Sequence, residues 1–164
     1  MEQFLKKINE LPEIRELVGR VEEGGCPAEI SGLAPVHRAI VGAAVAQATE
    51  RPAVFVCGDE REAHTLCGDL HALTGTEPVL LLAREWQFRP NAVSSRSWEQ
   101  SRLAALDAMA RGKARTVVAT VDGLMARTLP KKLLASSEIV LKAGGTADPA
   151  QLAERLVSAG YARC

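Results

Sequence analysis

The sequence has no excess of charge of either sign. Twenty Lys and Arg residues balance twenty Asp and Glu, so no global positive field gathers phosphate backbones, which weighs against tight, autonomous DNA binding. Long apolar runs are also missing. The longest, residues 39–46 and 78–83, fall well short of the roughly 20 residues needed to cross a hydrocarbon core, which argues against a membrane protein. The opening MEQFLKKINELPEIRELVGR lacks the apolar centre and small-residue cleavage site of a secretory leader. That predicts a cytoplasmic protein in a reducing compartment, with its four cysteines as thiols. Cys-x-x-Cys spacing is absent, and redox chemistry loses its usual signature with it. Neither an internal repeat nor a low-complexity tract is present. What remains is ordinary globular composition: 164 residues, 47% hydrophobic and 24% charged, enough for one compact core.

Phe4, Leu5, Ile8, Leu11, Ile14, Leu17, Val18 and Val21 recur at helical spacing between charged residues, which predicts an amphipathic leader over residues 1–25. Pro12 interrupts it, and Gly24, Gly25 and Pro27 end it. Apolar runs at Ala28–Ser31, Ala53–Cys57, Val79–Leu82, Thr116–Thr120 and Glu138–Leu141 then alternate with helical stretches at Val36–Ala48, Glu60–Leu73, Trp98–Ala110 and Asp122–Arg127. Strand and helix in alternation predict an α/β domain over 26–145, a mostly parallel sheet flanked by helices with its Val-rich strands buried on both sides. Asp148 followed by Pro149, with Gly160 beyond, predicts a capped helix in a segment, 146–164, that begins a further, truncated domain.

Gly32-Leu-Ala-Pro-Val-His-Arg-Ala stands where a nucleotide-binding α/β protein carries GxxxxGK[ST]. With Gly32 as the first glycine, His37 replaces the second, Arg38 the lysine and Ala39 the hydroxyl that ligates Mg²⁺. Pro35 removes a backbone donor from the loop. No apolar strand ending in Asp-Glu supplies the second carboxylate motif. Hydrolysis of ATP is not expected, and the candidate phosphate contacts reduce to Gly32 and Arg38.

Between Arg84 and Ser97 the rhythm breaks into a long loop. Residues 84–115 hold seven Arg or Lys against three Asp or Glu, interleaved with Trp86, Phe88 and Trp98. Arg84, Trp86, Phe88, Arg89 and Arg96 form the candidate interaction patch, suited to a protein partner or to stacking on single-stranded bases. Trp98 opens a helix whose Leu103, Leu106 and Met109 have a core-facing spacing, so it reads as a core or hinge residue. His64, Cys67 and His71 share one helix beyond Cys57, but the short paired spacings of structural zinc are absent. The simpler reading places them beside the Leu66, Leu70 and Leu73 core face. No catalytic or metal-ligating residue is assigned. Asp122 reads as an N-cap.

The order of ISGLAPVHRAIVGAAVA, RPAVFVCGDEREAHTLCGDLHAL, EWQFRPNAVSSRSWEQSRLAAL, RTVVATVDGLMARTLP and LVSAGYARC resembles the N-terminal, UvrB-like module of the bacterial transcription-repair coupling factors, the Mfd family. Glu85, Ser94, Ser95, Arg102 and Leu103 fall on that family's pattern, while Phe88-Arg89-Pro90 departs from it. The resemblance implies a UvrB domain 1a-like fold with a degenerate phosphate loop. It implies a non-catalytic scaffold without cofactor, contributing to UvrA recruitment in transcription-coupled nucleotide excision repair. UvrA would be bound through an adjoining domain, and RNA polymerase and DNA through other domains of a longer ATP-dependent DNA translocase. Two alternatives remain: a residual nucleotide-binding domain that takes ATP through Arg38 once a missing domain completes it, and a weak nucleic-acid-binding module.

Overall fold

The computed structural model describes residues 1–24, 27–83 and 97–162. Its contacts divide the chain into two units, Met1–Arg127 and Thr128–Cys164.

In the first unit, α1 (Glu2–Ile8) and α2 (Pro12–Glu22) are separated by the break that Pro12 imposes, the proline itself occupying the first turn of α2 where its missing N–H costs nothing. There follow α3 (Pro35–Thr49), β1 (Ala53–Cys57), α4 (Glu60–Thr74), β2 (Val79–Leu81), α5 (Ser97–Ala110), β3 (Thr116–Thr120) and α6 (Val121–Met125). The strands form one parallel sheet in the order β1-β3-β2, with Val54 opposite Val117 and Val79 opposite Val117 on the other side. From β1 to β2 the chain steps over the place β3 will take, and from β2 to β3 it steps back. Right-handed crossovers in opposite directions put α4 and α5 on opposite faces of the sheet.

On one face, Leu5 of α1, Ala39, Ala43 and Ala44 of α3, and Ala63, Cys67 and Leu70 of α4 bury themselves over Val118. Leu5 thus places the helical leader in the same core as the sheet. The alanine-rich stripe of α3 lets that helix come close. At Gly42 even a Cβ would collide with the ring of Phe55, so the aromatic side chain fills the space that the missing methyl leaves. On the other face Ala105, Leu106 and Met109 of α5 cover Val79, Leu81, Val117 and Ala119. That cover stops at β3. Val54 and Val56, on the same face of β1, remain 60% and 56% exposed, which corrects the expectation that the Val-rich strands are buried on both sides.

Two further expectations are overturned. Residues 28–31 form no strand and are mostly exposed. Between Pro27 and a Gly32 held at φ +77°, the run has Ile30 as its only large aliphatic residue, too little to be buried on a sheet face. The strand-loop-helix frame of a phosphate loop is therefore incomplete on its strand side. Residues 138–141 are likewise irregular, with Val140 and Leu141 more than 60% exposed. They lie in the second unit, where the described residues include no strand to pair with.

That second unit holds α7 (Lys131–Ser136), which the sequence pattern did not suggest, and α8 (Pro149–Ser158). The Asp148 carboxylate caps α8 by accepting from the Ala150 N–H at 2.9 Å, as the Asp-Pro pair predicts. Neither helix buries a residue. No helix among the described residues is long and apolar enough to cross a membrane.

Candidate functional site

Open parallel sheets bind ligands beyond the carboxyl ends of their strands. In the first unit that edge has two parts, one after β1 and one after β2 and β3.

After β1 the chain turns through Gly58 into α4. Asp59 is the N-cap, its Oδ1 accepting from the Glu62 N–H at 2.8 Å, and Glu62 reaches back so that its Oε2 accepts from the Gly58 N–H at 2.9 Å. This is a capping arrangement written in the sequence as Asp-x-x-Glu. The other oxygen of Glu62 meets Arg38, from the first turns of α3, at 3.2 Å. Arg38, the residue in the lysine position of the candidate loop, thus faces a carboxylate, in a turn that carries Asp59 and Glu60 as well as Arg61. A phosphate arriving here would meet negative charge and a donor already engaged. Ala39, in the Mg²⁺-ligand position, is fully buried in the core with its side chain among aliphatic neighbours. Gly32 lies in the irregular connection ahead of α3.

The second part is built around a residue that sequence reasoning placed only by resemblance. Arg102 of α5 is 8% exposed, and among the described residues it pairs with no carboxylate. Its Nη1 donates to the Leu82 carbonyl at 2.9 Å, just past β2, and its Nη2 donates to the carbonyls of Gly123 at 3.1 Å and Ala126 at 3.3 Å, on α6 and its C-cap. Burial pulls its pKa below the usual guanidinium value. Trp98, one helical turn earlier, stacks with its ring centroid 5.7 Å from the guanidinium, and its Nε1 donates to the Ala83 carbonyl at 2.7 Å. Thr120 caps α6 through its Oγ1, which accepts from the Gly123 N–H at 3.1 Å. Gly123 itself sits so close to β2 that a Cβ there would collide with the Leu81 carbonyl.

Beside this cluster is a cavity of about 490 Å³ lined by His64, Val79, Leu80, Trp98, Ser101 and Arg102, among others. Its strongest polar groups, the indole N–H and the guanidinium, are committed to main-chain carbonyls. The partner in the patch expected at Arg84, Trp86, Phe88, Arg89 and Arg96 cannot be placed on this geometry, since those five residues lie outside the described ones.

The histidines and cysteines do not converge. His71 pairs with Glu77 at 3.1 Å, and among the described residues no three His, Cys, Asp or Glu side chains are grouped to hold a metal ion. Cys57 and Cys67 are buried thiols. Burial pushes both upward, with Glu62 and Asp59 adding at Cys57. At Cys67 burial leads, Glu77 and Cys57 add, and the thiol is pushed up to about 11. Both environments favour the protonated form over a nucleophilic thiolate.

No protein-family model matches the chain, and no solved structure matches it. Among characterised proteins, the transcription-repair-coupling factor of Bacillus subtilis (strain 168) is 27% identical over 164 residues, a match that takes in 99% of this chain and 14% of that protein. The chain therefore spans about 14% of the length of the relative it matches. The similarity, running along the whole chain, supports the resemblance read from the ordered segments: a fragment of a transcription-repair coupling factor with an α/β, three-stranded parallel sheet.

Proposed function

We propose that the chain is a non-catalytic scaffold module of a transcription-repair coupling factor, serving DNA repair by contributing to UvrA recruitment through an adjoining domain. The observation that carries this reading is the whole-chain similarity to a protein named for coupling transcription to repair. The site geometry favours a scaffold over an enzyme. The candidate phosphate loop lacks the second glycine, the lysine and the hydroxyl of the working form, and Arg38 faces the Glu62 carboxylate. Contacts with RNA polymerase and DNA belong, on this reading, to other parts of the longer protein.

Two measurements test it. Purified UvrA is mixed with this chain alone and with the chain extended through the following domain of the longer protein. Capture by the extended form that exceeds capture by the same following domain alone supports a contribution from this module, and equal capture by both overturns it. Calorimetric titration with Mg·ATP is run on the chain and on Arg38→Ala. Absence of heat at high micromolar nucleotide supports the scaffold. Saturable binding that disappears in Arg38→Ala overturns the non-catalytic assignment.

A further inference from the structure

One side chain joins the exits of β2 and β3 at the carboxyl edge of the sheet. The carbonyl of Leu82 lies just past the β2 ladder, whose last pair is Leu81 with Ala119. The carbonyls of Gly123 and Ala126 belong to the end of a five-residue helix that cannot bond them all internally. All three would be left without donors in a half-buried place. Arg102 supplies donors to the three of them from a single planar group, which a lysine's point charge cannot do.

Two further features show that the β2 exit is pressed against its neighbours. Gly123 has no room for a Cβ against the backbone at Leu81 and Leu82. Trp98, stacked on the same guanidinium, ties the next carbonyl, Ala83, to the start of α5. The described chain on either side of residues 84–96, Ala83 and Trp98, is thereby held at hydrogen-bond distance.

We propose that Arg102 is a latch that makes the exit of β2, the start of α5 and helix α6 one cooperative unit, which opens and closes as a whole and separately from the α3 and α4 side of the sheet. The latch goes beyond a scaffold role, because it fixes which part of the edge is rigid and which contacts must break together. Its elements are local: three carbonyls, one guanidinium, one indole and one glycine. The α3–α4 face has its own buried core over Val118, and the partly buried side chains of Leu80 and Leu82 pack against it, so that is the apolar contact the unit must release when it opens.

Peptide-resolved amide hydrogen exchange on the 164-residue chain tests the latch. In the wild-type chain at low urea, peptides covering residues 79–83 and 121–127 are expected to share one opening free energy and one urea dependence, distinct from those of α3 and α4. In Arg102→Lys both peptides should exchange about tenfold faster or more while α3 and α4 stay protected. Gly123→Ala should reproduce the pattern with Arg102 intact. Different urea dependences for the two exits in the wild type would overturn the proposal, as would acceleration of one exit alone. Equal acceleration across the whole chain would also overturn it, because Arg102 would then be a general stabilising residue with no unit of its own. The wild-type measurement decides even if a variant fails to fold.

Discussion

Two arginines stand at the same edge of one sheet and are used in opposite ways. Arg38 is 60% exposed along its side chain and faces a carboxylate that is 42% exposed. Water screens that pair, and its attraction is small. Arg102 is buried and faces neutral carbonyl dipoles. Taking its charge out of water is costly, but the cost is offset by three charge-assisted hydrogen bonds, and losing the side chain would strand three acceptors. The residue with the more suggestive sequence position is therefore the less important one to the fold. A basic residue's place in a motif says less about its energetic role than the number of otherwise unmet acceptors it serves.

The strongest way to break this comparison is to truncate both residues. Arg102→Ala should lower unfolding free energy by about 2–3 kcal/mol, since a stranded buried carbonyl costs about 1–3 kcal/mol and, of the three, Gly123 is buried while Leu82 and Ala126 are half-buried. Urea titration followed by circular dichroism reads this directly as a drop in midpoint, and a loss below about 1 kcal/mol would mean that water replaces the guanidinium without strain. Gly123→Ala attacks the same cluster from the opposite side. The new methyl meets the Leu81 carbonyl, which belongs to backbone and cannot swing away. Overpacking of this kind costs about 1–3 kcal/mol, and the same urea titration measures it.

How much of this could be read in advance follows from the range of the interactions. Asp148 before Pro149 was legible because a cap acts within one turn. The strands at Ala53–Cys57 and Thr116–Thr120 were legible from their apolar runs, although only β3 is buried along its length while β1 leaves Val54 and Val56 exposed. Residues 28–31 carry one large aliphatic residue, too little for a sheet face, and 138–141 lie in a unit whose described residues include no strand, so a short run there does not encode a pairing. Arg102 was harder. Its acceptors lie 20 to 24 residues away in sequence, and carbonyls have no residue identity to search for. One local signal existed: an arginine four residues after Trp98, sharing its helix face with the buried Ala105. The pairing of Arg38 with Glu62 spans 24 residues and had no local signal. Of the loop expected between Arg84 and Ser97, residues 84–96 lie outside the described residues and Ser97 begins α5.

Burial separates acids as it separates cations, and Cys67 sharpens the comparison at intermediate size. Its thiol is pushed from 9.0 to about 11, chiefly by burial. Below about pH 9 the group is protonated in both folded and unfolded chains, and the stability it contributes is fully present. Between 9 and about 11 the unfolded chain releases its proton while the folded chain keeps it, so stability falls as pH rises through that window. Thermal unfolding at pH 8, 9 and 10 should show a progressive decrease in Tm that Cys67→Ala reduces. An unchanged pH slope in Cys67→Ala would assign the decrease to other groups. At pH 8 the same thiol should react with iodoacetamide far more slowly in the folded chain than in urea.

The smallest effect is expected at Arg38, and it carries the most information about function. Removing an exposed ion pair shifts stability by about 0.5 kcal/mol or less, so Arg38→Ala should unfold within error of the wild type in urea. The Glu62 carboxylate keeps its bond to the Gly58 N–H when Arg38 is gone, and the cap on α4 survives. If Arg38→Ala is instead destabilised by 2 kcal/mol or more, on the order of a buried charge pair, then the two edges of the sheet are alike and the contrast drawn between them fails. A double variant decides the matter further. Adding Glu62→Gln to Arg38→Ala removes the charge but keeps an acceptor for Gly58, and the two changes should combine with a coupling below about 0.5 kcal/mol, the value for an exposed pair. A coupling of that size would mean that Arg38 can be replaced without consequence for the fold, whatever it contributes elsewhere.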